Sequence, residues 1–234
     1  MNALIFDIET IGENFDTLDE STKDSLTWWI KEESKNETDY ERNLAEIKNR
    51  LGFSPLTGEI AAIGVLDYEK DQGAVYFQSP GKKIKDSTEG KFKFKSLTEK
   101  EMLQSFWDGA KNYHEFVSFN GRVFDAPFLI IRSAVHGIKP SVDLMEGRYL
   151  YQQKGVRHID LLDQLTFYGA SLKRGNLHLW SRAFGIKSPK ADGISGDDVG
   201  RLFNEKKFLE IAKYNTGDLI ATKELYSRWL NFVR

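Results

Sequence analysis

Cysteine is absent from this 234-residue chain, which excludes disulfides and thiolate metal sites and leaves oxygen or imidazole ligands for any metal. Equally missing is a run approaching the ~20 apolar residues that a membrane span requires. The N-terminal apolar stretch is interrupted at Asp7, so no signal peptide is expected, and the expected location is cytoplasmic with no membrane partner. An excess of charge of one sign is lacking too: Lys and Arg number 33 against 35 Asp and Glu, a formal net charge of −2 with pI ≈ 6.1. That balance offers no global attraction for a polyanion, so any contact with nucleic acid must be local. The remaining composition is ordinary for a globular protein, 40% hydrophobic with 13% aromatic, and the length suffices to bury a sizeable core. A single domain over residues 1–234 is expected.

Ala3, Leu4 and Ile5 lead directly into the pentapeptide FDIET, Phe6 to Thr10, so Asp7 and Glu9 fall at the end of a buried strand. Residues two apart on a strand share a face, and two like charges aimed at one point repel unless a cation lies between them. Carboxylate ligands favour hard ions such as magnesium or manganese. The same spacing recurs at Asp39 with Glu41 and at Asp67 with Glu69, where solvated surface accounts for it. For the first pair, metal ligation and an ordinary strand-end acid pair both remain open.

Residues 13–55 read as a charged, mostly helical insertion. Leu44, Ile47 and Leu51 predict an amphipathic helix over Tyr40 to Leu51, and the adjacent Trp28 and Trp29 fit the insertion's own small core better than a lid or partner surface. Strands are expected over Glu59 to Leu66 and Ala74 to Gln78. From Gly81 to Lys95 six lysines accumulate, and Lys91, Lys93 and Lys95 alternate with Phe92 and Phe94. This is the pattern of a two-sided strand whose outward lysines either follow a phosphate backbone or guard a sheet edge against aggregation. Ser96 with Glu99 predicts a capping box for a helix through about Asn112, and Glu115 to Phe119 a further strand. There follows NGRVFDAPFL, Asn120 to Leu129, leading into a helix closed near Gly137. Helices are expected over His158 to Phe167 and Asn176 to Phe184, a loop over Lys187 to Gly196, and a final amphipathic helix from Phe208 to about Leu230. The order is that of an α/β protein without internal repeats.

Within the final helix, Tyr214 and Asp218 of YNTGD lie four residues apart and share a face. Leu219, Ile220 and Leu225 surround Asp218 with apolar groups, and a carboxylate buried there needs a partner, which a metal supplies. Asp125 by itself reads as a helix N-cap, and Phe124 and Phe128 as core.

FDIET, NGRVFDAPFL and YNTGD, in that order, resemble the three motifs of the DEDD superfamily of 3′-5′ exonucleases, DEDDy type, and within it the exonuclease domain of family B DNA polymerases. The resemblance implies an RNase H-like (DnaQ-like) α/β fold, a mixed five-stranded sheet flanked by helices. It also implies a free-standing exonuclease domain, because no polymerase segment follows before Arg234. Two divalent cations, Mg2+ or Mn2+, are implied, with Asp7 bridging them, Glu9 and Asp218 completing one and Asp125 holding the other. Tyr214 and Glu9 would orient the attacking water. The candidate catalytic set is therefore Asp7, Glu9, Asp125, Tyr214 and Asp218, and the candidate substrate contacts are Asn120, Phe124, Thr10, Lys91 and Lys93.

His158 and Asp163 have the spacing of the superfamily's histidine branch and form a rival third motif. The position of Tyr214 in the C-terminal helix favours the tyrosine, leaving His158 and Asp160 a supporting role. The implied reaction is metal-dependent release of nucleoside monophosphates from single-stranded or frayed 3′ ends of DNA. An exoribonuclease on the same scaffold is an alternative, since nothing in the sequence selects deoxyribose over ribose. A catalytically inactive nucleic-acid-binding or partner-docking module is another. The five intact side chains argue against it, whereas Asn215 and Gly217 within YNTGD depart from what relatives often carry.

Overall fold

The computed structural model describes residues 2–171, 175–187 and 196–234. Seven strands among them form one mixed sheet: β1 (Ala3–Gly12), β2 (Gly58–Asp67), β3 (Gln72–Phe77), β4 (Ser87–Glu89), β5 (Phe92–Ser96), β6 (Glu115–Ser118) and β7 (Arg157–Asp160). Their spatial order is β4-β5-β3-β2-β1-β6-β7. The helices are α1 (Glu20–Glu33), α2 (Glu37–Arg50), α3 (Glu99–Ala110), α4 (Asp125–Val135), α5 (Leu161–Leu165), α6 (Leu177–Ala183), α7 (Val199–Asn204) and α8 (Phe208–Phe232). None of the described helices is long and apolar enough to cross a membrane.

β1 is central and buried on both faces, which is why it begins as a continuous apolar run. Leu4, Phe6 and Ile8 pack with Phe106 and Trp107 of α3 and Phe128 of α4. Ala3 and Ile5 point the other way, into a core with Leu219, Leu225 and Trp229 of α8. Alternation continues that second face through Asp7 and Glu9, so both acids look toward α8. Immediately beyond them the register with β2 slips, Glu9 pairing with Ala62 but Thr10 with Ile60. Such a bulge bends the strand where the acids end. β6 and β7 run parallel to β1, so the carboxyl ends of all three strands, and the loops that follow them, gather at one end of the sheet.

The sheet has seven strands where five are expected. β4 is only three residues long, and β7 falls where the sequence suggests the start of a helix. A short parallel strand buried on both faces reads as an unbroken apolar run, and Ile159 to Leu162 has no period that separates strand from helix. The capping box is displaced as well. Ser96 is consumed in pairing with Phe77, so Thr98 caps α3 and Glu101 closes the box. Asp67 is buried instead of solvated, accepting bonds from Glu69 N, Lys70 N and the Tyr113 hydroxyl. Trp28 and Trp29 do not form a small core: they are 59% and 39% exposed, and α1 buries Thr27 and Ile30 instead. Phe92 and Phe94 do turn inward while Lys93 and Lys95 face out, with β4 covering the β5 edge. The expected loop over 187–196 lies, apart from its ends, outside the described residues.

Candidate active site

α8 lies close against β1 because Gly64, the β2 residue paired with Asp7, has no side chain. A Cβ there would fall 1.7 Å from Asn215 Oδ1 and 2.7 Å from Leu219 Cδ1. Through this gap α8 presents Tyr214, Asn215 and Asp218 to the acids of β1. Asp7, Glu9 and Asp218 each offer a carboxylate oxygen within 4.8 Å of the others. The Asn215 amide, fully buried, donates from Nδ2 to Asp7 Oδ2 at 2.7 Å. Tyr214, one helical turn before Asp218, lies near enough for the charge of that carboxylate to act on its phenol.

Asp125 arrives from the opposite layer. It is the first residue of α4, with Phe124 in the cap position, so its carboxylate is released from capping. Asp125 Oδ1 accepts from Ile8 N at 2.9 Å, midway between Asp7 and Glu9 in the chain, and the carboxylate stands beside the three-acid group rather than within it. The loop preceding α4 is held by Asp160, whose carboxylate accepts from Asn120 N, Arg122 N and Leu162 N. Asn120 has φ +63°, a left-handed conformation that asparagine tolerates better than most residues. A Cβ at Gly121 would meet Ser118 Oγ at 2.3 Å and Asp125 Oδ2 at 3.2 Å, so this turn requires glycine to stay closed.

Among the described residues, the hydrogen bonds to Asp125 and Asp7 come from a backbone N–H and an amide, not from a basic side chain. Burial pushes the carboxyl pKa of Asp7 well up, and the charges of Asp125, Asp218 and Glu9 push it further. Glu9 rises for the same reasons, burial first and then Asp218, with the nearby Asn215 amide opposing the rise. Asp125 is raised to about 7 by burial, against the opposing Ile8 N–H. Tyr214 also rises, through burial and the neighbouring carboxylates, so its phenol keeps its proton at neutral pH. Glu9 Oε1 is buried with no hydrogen-bond partner among the described residues. An orphaned carboxylate oxygen inside a group of like charges fits a divalent cation with oxygen preference.

Other sequence candidates are distributed differently. Thr10 Oγ1 donates to Gly52 O at 2.6 Å, and the Phe124 ring packs against Phe53 and Phe128, at 6.3 and 5.5 Å between centroids. Past Thr10 opens a cleft of ≈ 900 Å³ lined by Asn14, Phe15, Asn49, Phe53, Arg201 and Phe203. Lys91 and Lys93 are not brought to the acids: Lys91 pairs with Asp71 at 2.6 Å, and both lysines line a separate hollow with Leu4, Asp67 and Tyr113. The rival pair is taken up elsewhere too. His158 is buried, bonded to Ser118 Oγ and Leu144 O, and lowered by burial to about 3, while Asp163 pairs with Arg148.

Sequence reasoning missed the buried ion pair behind the site. Arg132 of α4 donates twice to Glu99 at 2.9 and 2.7 Å, His136 donates to it at 2.6 Å, and Ile60 N, at the bulge, at 2.8 Å. Its signal was Glu99 itself, an acid on the apolar face of α3. Gly64 gave a signal as well, since a glycine inside an apolar strand marks close approach.

A family model described as a predicted 3′-5′ exonuclease related to the exonuclease domain of PolB matches residues 62–233. The match includes Asp125, Tyr214 and Asp218 and begins after Asp7 and Glu9. Among solved structures, the family B DNA polymerase from the hyperthermophilic archaeon Pyrobaculum calidifontis superposes with a TM-score of 0.60 at 18% identity. That likeness covers 98% of this chain and 24% of the polymerase chain, and it shows the fold, of the RNase H-like α/β class. The chain thus spans about a quarter of the polymerase's length. No curated protein sequence matches significantly.

Proposed function

The chain belongs to the family of predicted 3′-5′ exonucleases related to the exonuclease domain of PolB, and on that premise we propose that it is a metal-dependent enzyme removing nucleoside monophosphates from single-stranded or frayed 3′ ends of DNA. One observation carries the reading: Asp7, Glu9 and Asp218, remote in sequence, offer oxygens within 4.8 Å of one another, with Glu9 Oε1 unpartnered among the described residues. DNA is chosen over RNA because the structural relative is a DNA polymerase. The unit is the whole of 1–234, residues 13–55 being an insertion that walls one side of the cleft beyond Thr10.

Asp7, Glu9 and Asp218 would hold one Mg2+ or Mn2+, and Asp125 together with Asp7 a second. When bound, the ions supply a lowered pKa for the attacking water and positive charge for the phosphate under displacement. Tyr214 keeps its proton, so it acts as a hydrogen-bond donor that orients, and not as a base. Asp125, tethered to Ile8 N, is fixed relative to β1 before substrate arrives. Thr10 and Phe124 flank the acids where the last nucleotide enters, and the cleft past Thr10 has the size of a ligand site.

The test is incubation of 5′-labelled single- and double-stranded DNA and RNA with Mg2+ or Mn2+, for wild type and Asp7→Ala. A 3′-shortening DNA ladder lost in Asp7→Ala is expected. Shortening of RNA alone would make the enzyme an exoribonuclease, and retention of uncut nucleic acid by folded protein would make it a binding module.

A further inference from the structure

Asn215 occupies a position that a packing role does not explain. Its side chain is fully buried, yet Oδ1 finds no hydrogen-bond partner among the described residues, an arrangement that costs stability. The chain has also made room for it. Gly64 lies in the middle of β2, where glycine weakens a strand, and a Cβ there would overlap Asn215 Oδ1 at 1.7 Å. With Oδ1 turned to the Gly64 gap, Nδ2 faces the acids and donates to Asp7 Oδ2 at 2.7 Å.

We propose that Asn215, admitted by Gly64, is a positioning residue that sets the carboxylate of Asp7 for cation binding; this rests on the reading of the cluster as a divalent-cation site. The chemistry of the amide suits the task. A lysine or arginine in its place would fix the acids equally well, but its charge would neutralise them and compete with the cation. A neutral donor fixes one oxygen of Asp7 while leaving the negative charge of the group intact. Asn215 and Asp218 are three residues apart on α8, so one turn of helix delivers both the ligand and the group that orients its partner. Groups that hold metal ligands in this way change metal affinity by ~10–100-fold when they are removed.

Calorimetric titration of Mn2+ into the metal-free full chain tests the assignment without any substrate. Asn215→Leu keeps the branched shape and heavy-atom count of the side chain and removes the donor, whereas Asn215→Ala removes both. Both variants should bind Mn2+ at least ~10-fold more weakly than wild type, with metal-free melting of Asn215→Leu no lower than that of Asn215→Ala. Gly64→Ala, if folded by circular dichroism, should show the same loss by expelling Asn215, and Asn215→Leu/Gly64→Ala no further loss. Wild-type affinity in Asn215→Leu would overturn the assignment alone, reducing Asn215 to packing. Absence of Mn2+ binding to wild type would overturn the cation site and this assignment with it.

Discussion

Two groups of buried carboxylates, one on either side of β2, behave in opposite ways. Glu99, between α3 and α4, is fully answered: Arg132, His136 and Ile60 N converge on it, and although burial alone would raise its pKa, these bonds hold it below the usual carboxylate range. Among the described residues Asp7, Glu9 and Asp125 have no basic side chain among their partners, and burial with mutual repulsion carries them up. Burial is common to both groups, so burial does not mark the functional one. The difference is completion. One group ends in an arginine and holds two helices to the sheet, while the other, on the proposed reading, is completed by a cation from outside.

That contrast can be broken most sharply at Asp7. Asp7→Ala should lower exonuclease activity by ~10³-fold or more, the scale of several kcal/mol of lost charge stabilisation, while metal-free melting stays equal or rises as repulsion is relieved. Gel analysis of labelled DNA and thermal melting in EDTA check the two halves. Glu99→Ala should do the reverse. Leaving Arg132 buried and unpaired should cost about 3 kcal/mol in urea denaturation, with or without Mn2+. A stability loss at Asp7 as large as that at Glu99 would erase the distinction.

Smaller effects sharpen it. Tyr214→Phe should slow cleavage by ~10–100-fold with little change in melting, because it removes one oriented donor and no packing. His158→Ala should instead lower stability and leave the rate nearly unchanged, since His158 serves Ser118 and Leu144 O. The reverse order in kcat would move the chain to the histidine branch. The pH dependence should differ least in size but oppositely in sign. Asp125 titrates at about 7 when folded against ~4 unfolded, so the folded state holds the extra proton between these values. Metal-free stability from this group is therefore complete below pH ~4 and falls as pH rises toward 7, by at most ~1.4 kcal/mol per unit. Glu99 contributes above its unfolded value near 4.5 and loses that contribution as pH falls through its lowered folded value. Urea midpoints at pH 5 and 7 in EDTA, for wild type and Asp125→Asn, measure the difference; the variant should show a shallower downward slope, the remainder belonging to Asp7 and Glu9.

How much of this was legible in the sequence follows the same division. Asp7 and Glu9 could be placed on one face because a strand alternates strictly, and Tyr214 with Asp218 because a helix brings residues four apart together. Tertiary pairing was not legible. The frame of the capping box depended on whether Ser96 was used by β5, the strand character of β7 on a neighbour in the sheet, and the remoteness of Lys91 and Lys93 on the position of β5 across β3 and β2. Asp125 was assigned to the acids by its motif, but its bond to Ile8 N depends on where α4 meets β1.

The most direct test of an incomplete acid group is the melting temperature of the whole chain with and without saturating Mn2+. At a 100-fold excess over Kd, binding to the folded state alone should add about 2.7 kcal/mol, raising Tm in wild type and in Tyr214→Phe but not in Asp7→Ala. An unchanged wild-type Tm at saturating Mn2+ would contradict the account.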